Sequence, residues 1–415
     1  MFINAKRFAA VLSLLSVLCA TAVADDWPQF LGPQRNGIST ETGLIDSFPA
    51  SGPKELWRVP GGVGMSGIAV VGDTVVTLVQ DDNEQFVLAL NAQTGKTHWK
   101  SPIAAAYRNP MGDGPRAAPC ISGGKVFVYS GEGVLAALNL QNGRLLWKRH
   151  PVVEFGGKPA EYGMACSPLM VDEGLVAVTI GAPEAAVAAF NAETGETVWQ
   201  LSQPGDTAGY SSPAVVQVEQ EEQLVVHGGK AALGIQPRSG KLLWRYPYET
   251  DYDCNIATPL GDGKHVFLSS GENHGSVLLD VAGTGKPKVV WKSHDVQSVM
   301  RNEWQTSILH KGYLYGFDNV GSAGPVTNLA CVNALTGEQV WLERRFGKGN
   351  LIAADGKLWM TTMMGELVLV KISPEGFQEL SRAEVMQTTR QAPALSNKRL
   401  FVRDNAEIIC FDVAK

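Results

Sequence analysis

The stretch Ala89-Leu90-Asn91-Ala92-Gln93-Thr94-Gly95-Lys96-Thr97-His98-Trp99-Lys100 is written again and again along this chain. It returns as Ala137-Leu138-Asn139 with Asn142-Gly143-Arg144 and Trp147-Lys148, then as Ala189-Phe190-Asn191 with Thr194-Gly195-Glu196 and Trp199-Gln200. Looser copies pair Ser239-Gly240-Lys241 with Trp244, Thr284-Gly285-Lys286 with Trp291, and Thr336-Gly337-Glu338 with Trp341. Counted from Trp57, the tryptophans stand 42, 48, 52, 45, 47 and 50 residues apart. That is the length of one four-stranded propeller blade, so the period predicts a β-propeller.

Each copy reads as a strand, a tight turn and a second strand. Glycine sits in the turn where the backbone needs positive φ, which a Cβ would oppose. A second hairpin lies upstream: Ala118-Pro119-Cys120-Ile121, a Gly123-Gly124 turn, then Lys125-Val126-Phe127-Val128-Tyr129. Comparable pieces occupy 167–178 and 392–402. Six blades carry the Trp copies, and a degenerate seventh runs over 351–380 with Pro374-Glu375-Gly376 in its turn. Lys54-Glu55-Leu56-Trp57-Arg58 looks like a last strand with no strands before it, while 392–412 supplies three strands with no Trp strand after them. The two halves complete an eighth blade and leave no open edge. The expected fold class is all-β: an eight-bladed propeller of four-stranded antiparallel blades, the last closed by an N-terminal strand.

The Ala-x-Asn/Asp-x-x-Thr-Gly-x-x-x-Trp signature resembles the pyrroloquinoline-quinone (PQQ)-type repeat of quinoprotein dehydrogenases and of the outer-membrane assembly lipoprotein BamB. The resemblance covers residues 53–415. It implies that each tryptophan docks on the neighbouring blade, and burial of so large a ring argues the same. No tryptophan in the repeat is followed by Asp, unlike the WD40 pattern. The same repeat serves catalytic and non-catalytic proteins, so it implies two functions. One is binding or scaffolding in the cell envelope with no cofactor required. The other is PQQ-dependent oxidation of alcohols or sugars, with PQQ and calcium as cofactors.

Residues 1–24 have the form of an export signal: Lys6 and Arg7, an apolar core from Phe8 to Leu18, and Ala22-Val23-Ala24 as a cleavage site. Leu18 stands where a lipobox wants a small residue before Cys19, so a soluble periplasmic or secreted protein is expected. Removing 1–24 deletes two positive charges and no negative ones, which moves the formal charge from −6 to −8. An acidic chain without a basic run argues against nucleic acid and anionic membrane surfaces, and no later stretch is apolar enough to span a bilayer. The expected organisation is 1–24 signal, 25–52 extended segment and 53–415 propeller, working as a monomer. The Trp27-Pro28-Gln29-Phe30 leader is expected to clamp over a propeller edge.

Five cysteines follow the signal, an odd number, and the Cys120/Cys166 offset predicts no bridge between them. The seven histidines show no HxH or HxxxH pairing, so no transition-metal site is predicted and no metal ligand is named, while an oxygen-rich calcium site stays open. No Cys-x-x-Cys-His is present for a c-type haem.

The connections from one blade to the next are long at 103–116, 151–165, 246–255 and 293–303. Long polar and aromatic loops gathered on one face of a rigid ring are where binding is expected, whether of a protein or of a small molecule. The candidate set on that face is Arg116, Glu161, Tyr210, Asp251, Asn255, Arg301 and Trp304, with Tyr162 beside them. Asp251 and Asp253 resemble the Asp-Trp-Asp segment of the dehydrogenases, which would make Asp253 the catalytic base if the protein is an oxidoreductase. The adjacent Cys pair that many PQQ alcohol dehydrogenases place over the cofactor is missing. The same polar residues also suit a solvated rim whose charges pair with one another. The preferred expectation is a non-enzymatic binding module.

Overall fold

The computed structural model describes residues 26–415 except 173, 284 and 322–325. The expected export signal and Cys19 lie outside the described residues.

Eight four-stranded antiparallel sheets form the ring. Blade 1 runs Ala69–Val71, Thr74–Gln80, Glu84–Asn91 and Thr97–Ala105 from the axis outward. The next six blades repeat this order, with inner strands Cys120–Ser122, Leu169–Asp172, Ala214–Val218, Leu260–Asp262, Ile308–His310 and Gly349–Ala354. In the eighth, Ala394–Ser396, Arg399–Arg403 and Glu407–Asp412 are followed by Lys54–Pro60 from the other end of the chain. Trp57 lies opposite Cys410 in that last pairing, so the ring closes as the sequence predicts. Blades are covered on both faces, which explains why second strands such as Lys125–Tyr129 read as continuous apolar runs rather than alternating ones.

The tryptophans build the seams. Trp57, Trp99, Trp147, Trp199, Trp291 and Trp341 each donate the indole N–H to a backbone carbonyl of the following blade, at 2.9–3.0 Å. Five of these rings rest on the turn glycine of that blade. A Cβ on Gly95, Gly143, Gly195, Gly240 or Gly337 would lie 2.5–2.9 Å from the ring or its neighbours. The glycine therefore answers two demands, a φ near +70° and room for an indole. Across its own blade the tryptophan usually faces a small residue: Ala89, Ala137, Ala189, Gly234, Cys331 or Cys410. Trp291 is the exception, with Leu278 opposite it. All five described cysteines are free thiols. Trp244 also differs, since its N–H goes to Gln223 Oε1 in its own blade at 2.7 Å.

Blade 7 carries Ser381 where the tryptophan would stand. The leader fills that seam. Ser381 Oγ accepts the Phe48 N–H, Leu44 is fully buried with its N–H on Asp355 Oδ2, and Ile45 donates to the Val413 carbonyl. Buried Lys357 binds Asp46 and Asp355 at 3.0 and 3.2 Å. Upstream, the leader crosses the axis instead of clamping an edge. Trp27 pairs with Val70 of blade 1, Pro28 accepts from Ile121 of blade 2, and Ile38 bridges Ala353 of blade 7. Arg35, buried, donates to the Ser167 and Pro168 carbonyls of blade 3 at 2.5 and 3.0 Å. The leader is thus tied to inner strands on several sides of the ring and spans the axial opening.

Two outcomes test these seams by urea unfolding. Gly143→Ala should lower the midpoint more than Gly123→Ala, because Gly123 has the same sign of φ with nothing within 4 Å. Positive φ alone costs an alanine roughly 1 kcal/mol, and overpacking adds about 1–3 kcal/mol. Leu44→Ala should destabilise by about 2–5 kcal/mol if the leader is part of the core, and by a few tenths if it is a loose tail.

Candidate functional site

A cavity of about 480 Å³ lies on the axis at the face of the long loops. The geometry follows from the repeat. The residue four positions before the inner strand lines the cavity in blades 1 to 6 and in blade 8: Met65, Arg116, Ala165, Tyr210, Ile256, Trp304 and Arg390. Gly67, Ser167, Ser212, Thr306 and Ala392, two positions further on, line it as well, as side chains of an extended segment do at period two. Lys348 and Asn350 serve blade 7, and Glu272 and His274 reach in from a turn of blade 5. Phe30 of the leader is also in the lining. The leader crosses the axis at the inner strands, so the cavity opens toward the loop face and is blind behind Phe30.

The structure brings Arg116, Tyr210 and Trp304 of the sequence-derived set together in this cavity. The others are elsewhere. Asn255 is fully buried, donating to the Gly228 and Tyr248 carbonyls and accepting from Ser270 Oγ, which pins the loop beneath Tyr210. Arg301 turns into the blade, where its guanidinium holds buried Asp318 in a two-toothed ion pair at 2.5 and 2.7 Å. Asp253 pairs with Lys230 at 2.9 Å, and Asp251 projects into solvent 3.9 Å from His274. Glu161 is exposed outside the lining. For Asp253 the solvated, mutually paired rim describes what is seen.

Lys348, Arg390, Met65, Ile256, Glu272 and His274 were missed by sequence reasoning. A signal for several of them existed. Aligning the blades on their inner strands and reading the position four before would have picked out Met65, Ile256 and Arg390. Glu272 and His274 have no such signal, because they come from a turn in one blade only.

Charge is divided around the wall. Lys348 Nζ and Arg390 Cζ both lie over the Trp304 ring, 4.3 and 4.7 Å from its centre. Lys348 also pairs with Glu303 at 2.6 Å. Arg116 covers the Tyr107 ring at 4.7 Å, and burial, with like-charged Arg390 nearby, holds its guanidinium below the usual range. Tyr162 stacks on Tyr210 at 5.7 Å and leans on Tyr252 at 6.5 Å, giving an aromatic flank. Burial, with Glu272 and Glu303 close by, pushes the Cys254 thiol up to about 12, so it is a neutral wall rather than a nucleophile.

Comparison with known proteins places this architecture. The family described as outer membrane protein assembly factor BamB matches residues 41–154 and 83–341. The chain belongs to this family of PQQ-like repeat propellers. Two relatives named outer membrane protein assembly factor BamB, from Yersinia pestis and Bordetella pertussis, are 25% and 23% identical over 71% and 51% of this chain, covering 73% and 58% of their own length. Quinohemoprotein alcohol dehydrogenase ADH-IIG from Pseudomonas putida is 22% identical over 66% of the chain, which spans only 37% of that enzyme. A solved quinohemoprotein alcohol dehydrogenase from Comamonas testosteroni superposes with a TM-score of 0.66 over 94% of this chain and 81% of its own, at 14% identity. At that identity the likeness concerns the fold alone.

A PQQ-like propeller that oxidises alcohols needs several oxygen ligands for calcium and a carboxylate base beside the quinone. The cavity wall carries two carboxylates, Glu272 and Glu303. Among the described residues no three His, Cys, Asp or Glu side chains converge on one point. Glu303 is held by Lys348, Glu272 reaches the wall from a turn of blade 5, and Asp253 is held by Lys230 outside the lining.

His227 lies just behind the wall, fully buried with its ring edge-on to Tyr248 at 4.8 Å. Burial pulls its pKa down to about 3. The folded state keeps it neutral while the unfolded chain takes a proton below its ordinary value near 6.5, so stability is lost as pH falls from about 6.5 toward about 3. His227→Phe should flatten the acid limb of melting temperature against pH over that window. An unchanged slope would assign the acid sensitivity to other groups.

Proposed function

We propose that the protein is an exported, non-catalytic propeller of the cell envelope that holds a ligand or partner on its long-loop face. The observation carrying this reading is the fate of the residues that quinone oxidation would use. Asp253 is tied to Lys230, Arg301 to Asp318, and Asn255 to backbone carbonyls, so that set does not face the cavity. What does face it is Trp304 beneath two cations, the tyrosine flank and Arg116, residue types that anchor binding interfaces. The relatives named outer membrane protein assembly factor favour the envelope as the site of action. No helix among the described residues is long and apolar enough to cross a membrane.

The quinoprotein relatives give the second reading, in which Asp253 would act as base toward an alcohol or sugar. One assay separates the two. The protein is incubated with PQQ, Ca²⁺, a panel of alcohols and sugars, and a dye acceptor. Dye reduction should stay at the protein-free level; reduction that vanishes in Asp253→Ala would establish the oxidoreductase instead. Trp304→Ala should leave the melting temperature within a degree or two and weaken binding at the face by more than about 2 kcal/mol, as truncating a buried aromatic anchor commonly does.

A further inference from the structure

Arg116 and Arg390 come from opposite ends of the chain and meet on one short loop. Arg116 Nη1 and Nη2 donate to the carbonyls of Gly114 and Gly112 at 2.6 and 2.7 Å, and Arg390 Nη1 donates to the adjacent carbonyl of Met111 at 2.9 Å. The loop can aim these carbonyls inward because Gly112 and Gly114 have φ of +129° and +86°. Gly114 also abuts the Val63-Gly64 segment so closely that a Cβ would stand 2.9 Å from Gly64 Cα. These contacts fix the clip.

Neither guanidinium has a carboxylate partner among the described residues. The nearest acid in sequence, Asp113, is engaged by Arg108 and by the Asn109 N–H. Elsewhere three buried arginines stand singly on their acceptors: Arg301 on Asp318, Arg403 on Thr77 Oγ1 and the carbonyls of Leu78 and Gly62, and Arg35 on the carbonyls of Ser167 and Pro168, whereas Arg116 and Arg390 share one loop. Two like charges gathered in a half-buried place, with no carboxylate hydrogen-bonded to either and only Asp113 acting on Arg116 at longer range, oppose folding. Such an arrangement is relieved by an anion. We infer that the cavity seats the carboxylate of an apolar monoacid between Arg116 and Arg390.

The rest of the cavity defines the acid. Met111 is half exposed, which puts the clip near the rim; Met65 and Trp304 touch Arg390 at the same level, and Phe30 of the leader is also in the lining. The charged head on the arginines therefore has an apolar and aromatic wall beside it, Met65, Trp304 and Phe30, for an apolar or aromatic body. A polyanion is disfavoured, because Glu272 and Glu303 face the same space. A blind cavity admits a small acid or the free C terminus of a chain, and not a strand threaded through the ring. The two sources share one chemistry, a planar carboxylate taken by two guanidinium forks.

This inference rests on the binding reading above, and titration calorimetry on the full mature chain tests it separately. The probes are 3-indolepropionate and its neutral amide, and acetyl-Leu-Phe with a free or amidated C terminus. At least one acid should bind about tenfold or more tightly than its own amide. The pair that discriminates names the source. Arg116→Gln and Arg390→Gln should each abolish the acid-over-amide preference while leaving amide binding in place. Each variant loses carbonyl and ring contacts along with half of a like-charge pair, so melting temperature is measured beside binding to show that both remain folded at the assay temperature. Acid and amide binding alike, no heat from any of the four at millimolar concentration, preference surviving both substitutions, or inorganic phosphate displacing the acid at equal concentration would each overturn the seat. A positive dye-reduction assay would instead remove the non-catalytic reading and leave the acid-to-amide ratio as measured.

Discussion

The ring depends on a tryptophan laid against a glycine. In seam after seam the indole of one blade covers the turn of the next, and its N–H ends on that blade's backbone. A buried indole needs a hydrogen-bond acceptor for its polar atom, and the turn supplies a carbonyl at a fixed place. The turn in turn needs positive φ, which glycine adopts without strain. Because the contact joins consecutive blades, each blade is held by the one before it. Sheets that could not bury their faces alone thereby become one body. The small residue opposite most of the tryptophans, whether Ala89 or Cys410, belongs to the same constraint, since it leaves the indole room to lie flat on its seat.

Where the repeat fails, the chain compensates locally. Trp244 finds Gln223 in its own blade, so its polar atom is still satisfied although the seam loses a strut. Blade 7 has no tryptophan at the seam position, and residues 44–48 of the leader lie in the vacant place. One segment thus repairs the seam beside the closing blade and also shuts the axis. Closure by strand pairing, seam repair and the blind end of the cavity are three consequences of one N-terminal stretch crossing the ring.

The arginines show how burial and pairing decide a role. Arg301 and Arg403 are among the most buried charges in the protein, and each is met by strong acceptors, one by a carboxylate and one by neutral oxygens. Burial lowers the Arg403 pKa to about 10, still far above any physiological pH. Their charge is used up inside the fold. Arg116 and Arg390 keep one side of each guanidinium on carbonyls and present the remainder to a cavity. The residue type is the same in all four, and only the surroundings separate a structural arginine from one placed to meet a ligand.

The sequence alone determined the period, the blade count, the four-stranded blade and the shared closing strand, because those follow from local turn chemistry and from apolar runs repeated at a fixed spacing. Cys331 and Cys410 stand at the repeat position that Ala89, Ala137 and Ala189 fill in other copies, so the same period places them. The site was legible only in part. Arg116, Tyr210 and Trp304 could be read from the long loops, yet Arg301, Asn255 and Asp253 carry the same chemistry and are occupied by Asp318, by backbone carbonyls and by Lys230. Which partner a polar side chain meets depends on neighbours tens or hundreds of residues away, and a one-dimensional pattern does not contain them. The meeting of Arg116 with Arg390, and the path of the leader through Trp27, Arg35 and Leu44, were decided by the tertiary structure: ring closure brings the two ends of the chain to the same axis, and burial there sets which charges remain unanswered.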